Sequence, residues 1–245
     1  LTIRGRRAVI RLNRPAKLNR IEPPDLDALS EQLKTIAQNE GLRVLILTGT
    51  GRVFSAGYHL GDIDDRQSGR APAREDGAKF EDVADALEDC RIPTVCALNG
   101  SVYGGSTDLA LACDFRIGTI GSEMLMPAGK LGVHYYPTGM QRYVTRLGLA
   151  AAKRLFLTAR PIDCEEMLRI DYLDRAVEKE SFTDAVEELA GTLENNAPLS
   201  LQHMKRALNQ IARRNVNLEM FTAGYKACNE SEDLSEGIAA WKERR

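Results

Sequence analysis

The segment 94–114, TVCALNGSVYGGSTDLALACD, constrains the fold most, because it runs from extended to turning to helical backbone without a pause. Residues 95–98 are a short apolar run of small and β-branched side chains, which suits a buried strand. Asn99-Gly100 breaks that run, since both residues tolerate the positive φ of tight turns. Tyr103-Gly104-Gly105-Ser106-Thr107-Asp108 then leads into Leu109-Ala110-Leu111-Ala112-Cys113. Small residues, cap formers and helix formers in that order predict a loop entering a helix N-terminus. Such an end presents unpaired N–H groups and partial positive charge, and two glycines let a substrate carbonyl come close to the backbone. The same pattern also fits a plain strand, turn and packed helix, because glycine-rich turns are common.

The remaining chain reads as layered α/β structure followed by helices. Residues 7–12, RAVIRL, read as a strand ended by Asn13-Arg14-Pro15. Leu26, Leu29, Leu33 and Ile36 recur at helical spacing over 25–39, and 43–47, RVLIL, is the strongest strand pattern. A strand, a helix and a second apolar strand imply crossover connections. The polar stretch 62–76 reads as a surface loop and, by its position, as a candidate lid. Phe80, Val83, Ala84 and Leu87 predict a helix ending before Ile92-Pro93. Segments 115–117 and 124–126 read as strands, 127–139 as irregular and 140–147 as helix. From residue 150 the pattern is helical, with one interruption near 172–177. We therefore expect an α/β core over 1–190 and a C-terminal helical region over 191–245. Its surplus of apolar helix faces points to subunit contacts.

Composition removes several classes. With 35 acidic and 33 basic residues the net charge is −2, so no bulk field recruits nucleic acid or an anionic membrane. Arg206, Arg213 and Arg214 read as a solvated helix face. No apolar run reaches about 18 residues, and no signal-peptide pattern is present, so a soluble cytoplasmic protein is expected. Cys90, Cys96, Cys113, Cys164 and Cys228 form no C-x-x-C pair and read as reduced thiols. His59, His134 and His203 lack metal-ligand spacing, so no metal site is expected. Ser106 has no recognisable His–Asp partner order for hydrolase chemistry.

Other short motifs carry a resemblance: Leu12-Asn13-Arg14-Pro15-Ala16-Lys17-Leu18-Asn19, Leu47-Thr48-Gly49, Phe54-Ser55-Ala56-Gly57, Asn99-Gly100, Gly104-Gly105 and Ala112-Cys113-Asp114. Pro127, Leu131-Gly132, Gly139, Gln141-Arg142, Ser231-Glu232-Asp233 and Glu236-Gly237 follow in order. The chain thus resembles the crotonase, or enoyl-CoA hydratase/isomerase, superfamily over essentially its whole length. The resemblance implies a ββα spiral core with a C-terminal helical trimerisation region, and a homotrimer or a dimer of trimers. It implies an acyl-CoA thioester substrate, with coenzyme A entering as part of that substrate and no permanently bound cofactor. By motif, the backbone N–H groups of Tyr58 and Gly105 would form the oxyanion hole. Lys17, Leu18, Arg20, Ala56, Tyr58, His59, Leu60 and Gly104 would receive coenzyme A.

The sequence departs from the family's hydratases at both of their glutamates. The first position is Asp108, shorter by one methylene, and the second, after Pro127, is Ala128. One positioned acid or base contributes about 10²–10⁴-fold, so efficient hydration is not expected. A third variable position falls at His134-Tyr135-Tyr136, where dienoyl isomerases and naphthoate synthases place an aspartate. Leu131-Gly132-Val133-His134-Tyr135 is similar to methylmalonyl-CoA decarboxylases. Asp108, Tyr135 and Tyr136 are therefore the candidate catalytic residues, and isomerisation or decarboxylation is favoured over hydration. The alternative is a catalytically weak CoA-binding or interaction protein on the same fold.

Overall fold

A computed structural model describes residues 1–59, 61 and 77–243. Leu60 and the expected loop or lid at 62–76 lie outside the described residues.

Three strand–strand–helix turns organise the core. In each turn the first strand joins one sheet and the second joins another. Strands β3 (Val44–Gly49), β5 (Thr94–Leu98) and β7 (Phe115–Thr119) lie side by side in a six-stranded sheet, ordered β1-β2-β3-β5-β7-β10. Its other members are β1 (Thr2–Arg4), β2 (Arg7–Leu12) and β10 (Arg175–Val177). Strands β4 (Val53–Ser55), β6 (Ser101–Tyr103) and β8 (Glu123–Leu125) lie side by side in a four-stranded sheet completed by β9 (Ile162–Asp163). The central pairs are parallel, with Leu45 opposite Thr94 and Val95 opposite Phe115. Parallel strands covered on both faces need apolar residues throughout, which is why VLILTG is buried at every position.

The two faces of that sheet carry two cores. Leu45, Leu47, Cys96 and Leu98 join the larger cluster with Leu26, Leu29, Leu33 and Ile36 of α1 (Pro23–Gln38). It also takes in Val83, Ala84 and Leu87 of α2 (Phe80–Glu88) and Leu109–Ala112 of α3 (Ser106–Ala112). Val44, Ile46, Val95, Ala97 and Ile117 face the opposite way, onto Ala185, Val186, Ala190 and Leu193. The period-two alternation of a strand sorts the residues between them.

Asn99-Gly100 clips one turn of the spiral to the previous one. The Asn99 side chain accepts from Gly49 N at 3.0 Å and donates to Gly51 O at 2.8 Å. A Cβ on Gly100 would lie 2.2 Å from Arg52 O, so only glycine fits. The segment 127–139 contains more order than its prolines and glycines suggested. It holds a short helix, α4 (Ala128–Leu131), and the start of α5 (Pro137–Leu147). After α6 (Leu149–Lys153) comes a π-helical turn, Arg154–Thr158, then α7 (Cys164–Arg169).

Four helices close the chain: α8 (Phe182–Asn195), α9 (Pro198–Ala212), α10 (Leu218–Asn229) and α11 (Glu232–Glu243). The expected division at 190/191 falls inside α8, whose buried residues all belong to the sheet's second core. Helix α9 grips the core by polar contacts. Lys205 Nζ reaches Ile92 O at 3.0 Å and Asp114 Oδ2 at 2.7 Å, and Asn209 Nδ2 donates to Glu88 O at 3.0 Å. Arg213, just beyond it, binds Glu88 and Asp89, so this arginine is committed to the core. The outer faces stay apolar and open, with Leu208, Tyr225 and Trp241 exposed. All five cysteines are free thiols. No described helix is long and apolar enough to cross a membrane.

Candidate active site

The backbone builds the site before any side chain enters it. Residues 18–21 run beside 56–59: Ala56 N donates to Leu18 O at 2.8 Å, Ile21 N to Gly57 O at 2.9 Å, and His59 N to Ile21 O at 2.9 Å. Leu18 and Asn19 adopt left-handed backbone, and the buried Asn19 amide donates to Thr50, Val53 and Phe54 carbonyls. This knot joins the two segments expected to receive coenzyme A. Gly57 has φ +90°, and a Cβ there would sit 2.6 Å from Tyr103 O and 3.2 Å from Gly104 Cα. That close approach makes Tyr58 and Gly105, the residue after each glycine, neighbours on one wall. Gly105 is the N-cap of α3, and no acceptor for its N–H is found among the described residues.

A cavity of about 590 Å³ opens along this wall. Ala56, Tyr58, Gly104 and Gly105 line it on one side, Phe80 and Glu81 of α2 on another, and Met126, Ala128, Leu131 and the 133–137 segment on a third. Its chemistry is aromatic. Phe80 meets Tyr58 edge-on at 5.9 Å and Tyr136 at 6.3 Å, and Tyr135 stacks on Tyr136 at 4.4 Å. Tyr135 also packs against Phe156 at 5.4 Å, which fixes the pair from behind.

Of the candidate catalytic residues, both Tyr135 and Tyr136 line the cavity, whereas Asp108 does not. Asp108 is fully buried behind Tyr136, whose hydroxyl donates to Asp108 Oδ2. The carboxylate is held from the far side by Arg142, with Nε 3.1 Å from Oδ1 and Nη2 2.8 Å from Oδ2. Arg142 Nη1 also reaches Asp85 at 2.8 Å and Glu88 at 3.0 Å. Burial raises the Tyr136 pKa, and the charge and hydrogen bond of Asp108 raise it further, so the phenol stays protonated at neutral pH. Burial opposes the Arg142 charge, but the hydrogen bond and charge of Asp108 more than offset it and raise that pKa. Tyr135 is raised by burial first and by the charge of Asp108 second.

The other expected residues divide by position. Ala56, Tyr58 and Gly104 line the cavity, while Lys17 is exposed and pairs with Glu22 at 3.6 Å. Arg20 also pairs with Glu22, and Leu60 lies outside the described residues. Ser106 is buried with its hydroxyl 2.7 Å from Ser55 Oγ, a structural contact. Nothing local in the sequence marks Arg142 as a site residue, although the Gln141-Arg142 pair is one of the motifs that carry the resemblance. Phe80 and Glu81 belong to none of those motifs, yet they form cavity walls. Their signal was the helical phase of 81, 85 and 88, which puts three acidic side chains on one face.

A profile of the enoyl-CoA hydratase/isomerase family matches residues 3–245. A carnitinyl-CoA dehydratase of Proteus mirabilis is 31% identical over 252 residues, covering 100% of this chain and 95% of that protein. A crotonyl-CoA hydratase of Syntrophomonas wolfei is 30% identical over 241 residues, covering 97% of this chain and 92% of that protein. The crystal structure of an enoyl-CoA hydratase from Bacillus anthracis superposes with a TM-score of 0.88 at 27% identity, covering 100% of this chain and 95% of that one. With the match running from residue 3 to residue 245 and these relatives covered almost end to end, the chain belongs to the enoyl-CoA hydratase/isomerase family and is an enzyme of the crotonase fold.

Proposed function

We propose that this acyl-CoA enzyme stabilises a thioester enolate between the N–H groups of Tyr58 and Gly105, and that it isomerises or decarboxylates its substrate rather than hydrating it efficiently. The observation that carries the reading is the pairing of Ala128 on the cavity wall with Asp108 sealed behind Tyr136. A hydratase places two carboxyl groups on a water molecule, and neither position offers one to the cavity. An oxyanion hole needs no particular side chain, and removing one of its donors typically costs about 10²–10³ in rate. Decarboxylation uses such a hole directly, since carbon dioxide leaves its electron pair on C2 as the enolate. Isomerisation moves one proton through the same enolate. Tyr136, with its proton directed at Asp108, offers its oxygen to the cavity as a hydrogen-bond partner.

We assign coenzyme A to Lys17, Leu18, Arg20, Ala56, Tyr58, His59, Leu60 and Gly104, and the hydrogen bonds joining 18–21 to 56–59 support that assignment. The names of the relatives support a CoA thioester substrate. The exposed apolar faces of α9 to α11 support assembly as a homotrimer or a dimer of trimers. The burial of Asp108 also favours the second reading, a weakly catalytic CoA-binding protein.

A mass-spectrometric product screen tests the two. Crotonyl-CoA, a 3-enoyl-CoA and methylmalonyl-CoA are each incubated with the purified enzyme. Double-bond migration or loss of carbon dioxide is the expected result. Rapid hydration of crotonyl-CoA overturns the argument from Ala128, and tight binding of all three without turnover favours the second reading.

A further inference from the structure

We infer that Glu81 is the acid–base carboxylate of the cavity, the group that takes a proton from the α-carbon of the bound thioester and returns it. The inference rests on the enolate reading above and names the base that it lacks.

Among the described residues lining the cavity, Glu81 is the carboxylate. The helix that bears it is held at its start. Ala78 N donates to Asp27 Oδ1 at 2.9 Å and Lys79 N to Asp82 Oδ2 at 3.3 Å. Phe80 then packs directly over the oxyanion-hole glycine, because a Cβ on Gly105 would lie 2.9 Å from the Phe80 ring. Glu81 is the next residue, in the first turn of α2, so it stands beside the place where the thioester oxygen would lie.

Its direction follows from helical phase. Glu81, Asp85 and Glu88 stand at i, i+4 and i+7 on one face. Asp85 and Glu88 are spent on Arg142 at 2.8 and 3.0 Å, and Arg142 in turn holds Asp108. The lower two carboxylates thus belong to a closed ionic cluster, while the first emerges into the cavity. Glu81 is half-buried and has no hydrogen bond or ion pair to its side chain among the described residues. A carboxylate without a fixed partner keeps its lone pairs for a substrate proton. The other titratable groups on the cavity wall are Lys79, His134 and the tyrosines. His134 turns Nδ1 to the Tyr135 carbonyl at 2.9 Å, and the Tyr136 hydroxyl donates its hydrogen bond to Asp108.

The step balances with one base. The C2–H bond breaks and its proton passes to a Glu81 oxygen. The bonding pair forms the C1–C2 π bond, and the carbonyl π pair moves to the thioester oxygen beside Tyr58 and Gly105. Return of the proton to C2 regenerates the substrate. Return to C4 of a 3-enoyl thioester gives the 2-enoyl isomer, with no net oxidation and no co-reactant.

Deuterium exchange into butyryl-CoA in heavy water, read by mass spectrometry, tests this without any double bond. The wild-type enzyme should label C2. Glu81→Gln should lower the exchange rate by about 10²-fold or more while its butyryl-CoA Kd stays within about twofold. Added formate should restore part of the exchange to Glu81→Ala, which a merely structural role would not allow. Wild-type exchange in Glu81→Gln, or loss of exchange in His134→Ala with Glu81→Gln still active, overturns the assignment and leaves the enolate reading standing. Absence of exchange from the wild type, with butyryl-CoA bound, overturns the Glu81 assignment and removes isomerisation, leaving decarboxylation to the product screen.

Discussion

Arg142 grips Asp108 with two parallel hydrogen bonds, 3.1 Å from Nε to Oδ1 and 2.8 Å from Nη2 to Oδ2, while both side chains are almost wholly removed from water. The pair belongs to three elements at once, because the same guanidinium also holds Asp85 and Glu88 on α2. Burying such a cluster gives little net stability against an apolar core of equal volume. Removing one member is another matter, since the remaining charges have no water to turn to.

Arg142→Met should therefore destabilise the fold by about 3–5 kcal/mol, seen as a lowered urea midpoint. Arg142→Lys should recover only part of the loss, because an ammonium cannot make the two-pronged contact with Asp108. A midpoint unchanged in Arg142→Met would mean that the cluster relaxes to admit water.

Glu88 predicts how stability responds to acid. Burial raises its pKa, but the hydrogen bond from Arg213 and the charges of Arg146 and Arg142 more than offset this, and the net shift is downward. A carboxyl lowered in the folded state contributes stability above its unfolded pKa, near 4.3, and loses it as pH falls through the folded value. Denaturation of the wild type and Glu88→Gln at a series of pH values should show a gap that is full at pH 6 and narrows below about pH 4. A gap that does not change with pH would show that Glu88 titrates alike in both states.

Gly139 holds the tyrosine pair in place by having no side chain. A Cβ there would lie 2.5 Å from Tyr135 Cε1 and 2.8 Å from Tyr136 Cε2. Gly139→Ala gains up to about 1 kcal/mol of helix propensity and loses about 1–3 kcal/mol to overpacking. The expected outcome is a nearly native melting temperature with turnover reduced at least tenfold, as the rings shift from Asp108. Full activity in this variant would remove the ring positions from the chemistry.

Ala128 tests the hydratase argument by addition. It is buried on the cavity wall, and the family resemblance implies glutamate at this position in hydratases. Ala128→Glu should raise crotonyl-CoA hydration above the wild-type level, measured by the loss of enoyl absorbance. A variant that folds, binds and hydrates no faster would show that a second carboxyl group alone is insufficient.

The spiral was readable where its signals were local. RVLIL and the Asn99-Gly100 break led directly to β3 and the clip between turns. The adjoining Gly104-Gly105 and Ser55-Ala56-Gly57 motifs led to two segments of the cavity wall. β6 and β10 were missed because three-residue strands barely establish a period. α4 was hidden by its flanking proline and glycines. The setting of Asp108 was not legible at all, since its partner Arg142 lies 34 residues away and Tyr136 lies 28 away. Only the folded chain reveals that Tyr136 stands between that carboxylate and the cavity.

The grip of α9 on the core has a consequence for the order of synthesis. Glu88 meets Arg142 and Arg146 within the spiral, but its remaining partner, Arg213, is translated 125 residues after it. A nascent chain folds from its N-terminal end as it emerges. The spiral can thus wind while the carbonyls of Glu88 and Ile92 still wait for Asn209 and Lys205. Helix α9, third from the C-terminus, and Arg213 just after it act as a latch on the end of the helix that carries Glu81, so that end is pinned only when translation is nearly done.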